Sequence, residues 1–211
     1  MKNFLALILV YVMVIACMPV KAFAINNYTS YNPNDAVTYA DTYWISYNTA
    51  YPNNGNHDCA NFVSQCLVAG ELTQTSDWYV RDIKVLGVHI RWEQSDAWAG
   101  ALALAAYMSD NFTYHNPTVN AYLGYVGTYQ SSDTYYLSRL HPGDVILYKW
   151  PSSSYHVAII TASSWLDGSL ITQHSNDRHD VCYNYKHNGQ YILSHNDALQ
   201  TEFWQHSMSV F

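Results

Sequence analysis

The sequence predicts a mixed α+β fold, with helices in its first half and an antiparallel sheet in its second. Three observations carry this. Between Asn32 and Ser109, apolar residues recur at helical spacing in several separate stretches. From Val145 to His174, short runs rich in Val and Ile alternate with tight turns, which indicates antiparallel strands. Helices first and a meander last is the order of an α+β domain. A chain of 211 residues with a hydrophobic fraction of 49% can build one proper core. No repeat, linker or shift in composition asks for a second domain.

The first segment stands apart from the fold. Lys2 is followed by an apolar run from Phe4 to Cys17, too short for a membrane span. Ala22-Phe23-Ala24 then forms an A-x-A site. Residues 1–24 are therefore expected to be a signal peptide cleaved after Ala24, leaving a domain of residues 25–211 that is secreted or held at the cell surface. Val14-Ile15-Ala16-Cys17 resembles a bacterial lipobox, so a lipid anchor at Cys17 is the alternative.

In the mature chain, Asn32-Pro33-Asn34-Asp35 marks a helix start. Ala36, Tyr39, Ala40, Tyr43, Trp44 and Tyr47 extend it with an aromatic stripe suited to packing. Pro52 to Asn56 favour turns and lead to Asp58 as an N-cap. A second helix then begins at Cys59, carries Phe62, Val63, Cys66, Leu67 and Ala69 inward, and stops at Gly70. Trp78–Val80 and Val85–Trp92 read as strands of a hairpin turning near Gly87. Ser95-Asp96 caps a third helix over Ala97–Ser109. Residues 111–136 show no period and are expected to be irregular. Val145–Tyr148, Tyr155–Thr161 and Leu170–His174 are the strands of the meander. Tyr191–Leu193 and Ser207–Phe211 are expected to add edge strands.

A thiol in the first turn of a helix faces unpaired N–H groups and the positive end of the macrodipole, and both favour the thiolate. Cys59 is thus the candidate nucleophile, though a lone cysteine is as often a buried core residue. Cys59 and Cys66 would lie about 10 Å apart along the helix, too far for a disulfide. Cys66 and Cys182 are best read as free thiols.

His156 and His174 fall at the start and the end of neighbouring strands, so both can reach one sheet edge. His156 would then be the base, with His174 fixing its tautomer. Asn176 and Asp177 are the substitutes for that third role. Asn53, Asn54 and Asp58 are the loop candidates for stabilising an oxyanion. His57, His89, His115, His187 and His195 are read as ordinary polar residues. His174, His179 and His187 match no zinc spacing, so no metal and no cofactor are expected. A net charge of −7 argues against nucleic acid as a partner.

At this point the chain resembles a known family. Asp58-Cys59-Ala60-Asn61-Phe62-Val63-Ser64-Gln65-Cys66 is similar to the nucleophile motif of the secreted "putative amidase" domains, relatives of the NlpC-type peptidases in the papain-like superfamily. Further matching blocks are Ala36–Ala40 with Trp44, Tyr51-Pro52, Ser95–Tyr107, Pro142–Ile146, His156–Thr161 and Gln173–Arg178, all in the family's order. The resemblance implies a papain-like fold, with the nucleophile at a helix N-terminus packed on a C-terminal antiparallel sheet. It assigns Cys59 as nucleophile, His156 as base and His174 as the third residue. Two departures are His57, where the family usually has Asn, and Ala60, where it usually has Thr.

The expected activity is that of a secreted cysteine hydrolase cleaving amide bonds, with peptides of bacterial peptidoglycan as the implied substrate. It would act as a monomer. The same site suits acyl transfer, and a non-catalytic wall-binding, carbohydrate-binding or adhesin module is the rival from another class.

Overall fold

A computed structural model describes residues 31–112, 121–129, 140–149, 155–164, 168–182, 186–187, 190–191 and 200–208. The apolar leader, the turn expected at 151–154 and the first half of the turn expected at 166–169 lie outside the described residues, and Gly168 and Ser169 open a strand instead.

Helix α1 spans Pro33–Tyr43. The side chain of Asn32 caps it, accepting from the N–H groups of Asn34 at 3.1 Å and Asp35 at 3.4 Å. The helix ends before Trp44 and Tyr47, so the aromatic stripe is cut short of the expected length. Helix α2, Cys59–Ala69, is buried almost all round: Asn61, Ser64 and Gln65 are as enclosed as Phe62 and Leu67. Such a helix sits at the centre of a domain rather than on its surface. Its polar side chains are paired, Gln65 accepting from Tyr39 Oη at 2.6 Å and Ser64 from Trp78 Nε1 at 2.9 Å. Gly70 follows it with φ −76, outside the left-handed region. A Cβ there would stand 2.6 Å from the Tyr31 ring, so close packing is what requires the glycine.

Strands β1 (Val80–Val85) and β2 (Val88–Gln94) form the expected hairpin. The third helix is broken. Ser95 caps a single turn, α3 (Asp96–Ala99), and α4 (Ala101–Phe112) resumes after Gly100, whose backbone is extended.

The main sheet has the strand order β3-β10-β4-β5-β6-β7, every neighbour antiparallel. Its strands are Ala121–Tyr129 (β3), Val145–Lys149 (β4), Tyr155–Ser164 (β5), Gly168–Gln173 (β6), Arg178–Cys182 (β7) and Gln200–Met208 (β10). Two expectations are corrected here. The stretch thought irregular supplies the nine-residue β3. The terminal strand is not an edge but lies between β3 and β4. Lys186–His187 (β8) and Gln190–Tyr191 (β9) form a separate short ladder, so Tyr191 joins no edge of the main sheet.

Strand alternation divides the central sheet into two faces. Val145, Leu147, Val157 and Ile159 pack into one core with the helices. Ile146, Tyr148, Ala158, Ile160 and Ile171 form a second cluster with Leu140 on the other face.

Candidate functional site

Cys59 is the first residue of α2 and is buried. Backbone N–H groups of Val157 on β5, of Ala60 and of Cys59 itself act on its sulfur to lower the pKa. These donors favour a thiolate, as the sequence suggests. Burial opposes them more strongly, with the Asp58 charge adding to it, and the thiol pKa ends above its ordinary value. The expected depression is thus overturned: the resting group is a thiol. Cys59 and Cys66 form no disulfide among the described residues.

Asp58 occupies the N-cap position, yet its side chain makes no capping bond. The carboxylate turns into the protein instead. Its Oδ1 accepts from the Asn54 N–H and from Asn61 Nδ2, both at 2.7 Å. Its Oδ2 faces His174 Nδ1 at 2.5 Å, across 116 residues of sequence. His174 Nε2 donates to the Tyr43 carbonyl at 2.9 Å. The ring stacks on Phe62 with centroids 3.9 Å apart and leans on Tyr47 at 4.3 Å. Both ring nitrogens are therefore committed, and His174 does not orient His156. It ties the nucleophile loop to α1 and to the end of β6.

His156 lies elsewhere. It pairs in register with Tyr148, and alternation sets it on the face of Tyr148 and Ala158, while Val157 faces the helices. The peptide N–H that follows His156 thus favours the Cys59 thiolate, and no hydrogen bond joins Cys59 to the His156 imidazole among the described residues. Burial pushes the His156 pKa down to about 4, with the Gln173 side chain partly offsetting it. The ring is neutral at physiological pH. Neither His156 Nε2 nor Gln173 Oε1 completes a hydrogen bond among the described residues.

The loop candidates are already engaged. Asn53 Oδ1 accepts from the Gly55 N–H at 2.7 Å. Asn54 and Gln94, at the end of β2, exchange amide bonds in both directions, at 3.0 and 3.1 Å. The Asn176 carbonyl accepts from Gln173 Nε2 at 3.1 Å, and Asp177 Oδ1 accepts from Tyr47 Oη at 3.4 Å. Neither reaches His156. The groups that favour the Cys59 thiolate are main-chain N–H groups. His179 Nε2 meets Asp41 Oδ1 at 3.0 Å, with Asp180 beside it. That trio is unlike the histidine set considered from spacing.

Gln173 and Asn61 are the site residues that sequence reasoning missed. Period-two alternation held the signal: if His174 faces the helices, Gln173 must face the other way, beside His156. Asn61, three residues after Asp58 on a helix, shares its face.

Helices over an antiparallel sheet define an α+β protein whose central helix opens on a cysteine. The chain belongs to the family described as "Putative amidase domain", which it matches over residues 30–196. That description gives the class of the domain as amidase. The chain is 27% identical over 167 residues to a Bacillus subtilis (strain 168) protein named "Uncharacterized protein YjcM". That match covers 79% of the chain but only 33% of the relative, so the chain spans about a third of the relative's length. No solved structure matches. Among the described residues, no helix is long and apolar enough to cross a membrane.

Proposed function

We propose that the protein is a secreted cysteine amidase that cleaves amide bonds in cell-wall peptides, with Cys59 as nucleophile and His156 as base. One observation carries this reading: Cys59 opens a buried helix, where main-chain N–H groups of the helix start and of β5 favour its thiolate. The same donors suit the oxyanion of a tetrahedral intermediate. His156 is favoured as base because its Nε2 is unpartnered among the described residues and its ring neutral, whereas both nitrogens of His174 are taken.

The resting pair is neutral, so attack proceeds by general-base catalysis rather than from a preformed thiolate. The imidazole must turn across the start of β5 to meet the thiol. It then takes the proton as sulfur bonds to the amide carbon. The C–N bond breaks, and the leaving amine receives that proton. Water adds to the thioester, releasing the acid and restoring the thiol.

The test is amine release from peptidoglycan fragments carrying stem peptides, comparing the protein with Cys59→Ala. Turnover that disappears in the variant, with fragment binding retained, supports the reading. Turnover surviving in Cys59→Ala removes cysteine catalysis. Binding without turnover in both proteins returns the wall-binding module.

A further inference from the structure

The β1–β2 hairpin carries a feature unrelated to the amidase site. Its turn residues, Leu86 and Gly87, have φ 52 and 81, the pair of positive values of a type I′ turn. Asn or Gly fills the first position at little cost, while a leucine there is strained. This leucine is also 99% exposed. Val85, Val88 and Ile90 around it are exposed as well, and Val85 and Val88 are cross-strand partners. Sequence and backbone thus pay twice to hold an apolar apex in water.

The charge around the apex is equally local. The chain carries a net charge of −7, yet residues 83–91 contain Lys84 and Arg91 and no acid. Lys84 sits 3.0 Å from Asp82, below the tip. A convex tip of four aliphatic side chains falls short of the roughly 800 Å² a side that a stable protein interface buries. A lipid interface accepts such a small wedge, with flanking cations reaching phosphate groups. We propose that this hairpin tip docks on the surface of a bilayer containing anionic phospholipid, with Leu86 entering the headgroup region and Lys84 and Arg91 at its collar.

The experiment uses the full chain with vesicles of phosphatidylglycerol and phosphatidylcholine, or of phosphatidylcholine alone, at low and high salt. Binding should require the anionic lipid and weaken with salt. Leu86→Asn, which suits the turn, should keep the fold and lower affinity about tenfold. Leu86→Trp should be quenched by brominated lipid, a readout confined to the tip. Equal vesicle binding by Leu86→Asn with no quenching of Leu86→Trp overturns the proposal. So does a wild-type protein that ignores vesicles but self-associates through the same leucine, since the occupant is then a second copy.

Discussion

His174 and His156 stand near the ends of neighbouring strands, and their surroundings are opposite. His174 is bonded at both nitrogens, stacked on Phe62 and joined to a carboxylate that holds two other donors. His156 is also buried, yet among the described residues its Nε2 is unpartnered, as is Oε1 of Gln173, the side chain that partly offsets its pKa shift. An imidazole whose two nitrogens both face acceptor oxygens has no lone pair to offer a proton, so it serves as an anchor. An unpartnered one weakens the fold and keeps a lone pair for chemistry. Burial alone does not distinguish the two roles; the count of partners does.

Exchanging each histidine tests that contrast most severely. His156→Ala should lower amide turnover by about 10²–10⁴-fold with little loss of melting temperature. His174→Ala should do the reverse, with activity falling only as the folded fraction falls. A His156→Ala protein of undiminished turnover would dissolve the comparison.

Next in size is the anchor itself. Asp58→Ala strands His174 Nδ1, Asn61 Nδ2 and the Asn54 N–H, and should cost about 3–5 kcal/mol in denaturant unfolding. Asp58→Ala combined with His174→Ala should cost clearly less than the sum of the two. Additive losses would mean that the pair is not a unit.

The unfulfilled histidine also leaves a signature in acid. The unfolded chain protonates His156 near the ordinary value of 6.5, whereas the folded one resists until about 4. Its contribution is intact above pH 6.5 and is lost as pH falls through that window, on the order of 3 kcal/mol. His156→Gln should flatten this part of a stability–pH curve. The smallest effect lies far from both histidines: Leu86→Asn should raise stability by up to about 1 kcal/mol by relieving the left-handed leucine.

What could be read from the chain followed from how locally each feature is encoded. The Asn32 cap, the start of α2 at Cys59 and the strands around Val145 and Val157 depend on residues a few positions apart, and all were legible. The break at Gly100 was not, because Ala and Leu on both sides hold the helical pattern through it. β3 was hidden because its Tyr- and Gly-rich sequence becomes a strand only by pairing with β10, Ala121 lying opposite Met208. At the site, the position of Cys59 was legible and its pKa was not: the dipole belongs to the local helix, while the burial that outweighs it comes from the whole fold. Asp58 with His174 is likewise a long-range pairing that no local pattern announces.

The reciprocal amides of Asn54 and Gln94 have a mechanical consequence. Turning over either amide alone would set nitrogen against nitrogen and oxygen against oxygen, so the clasp has to move as a unit. One half of it stands in the loop that precedes Cys59, and the other ends a strand of seven residues, a lever on the order of 20 Å long. A load placed on the hairpin tip is therefore delivered as torque at Asn54, whose N–H is bonded to Asp58. The loop before Cys59 and the hairpin share one joint, and what restrains the tip also sets the loop's play.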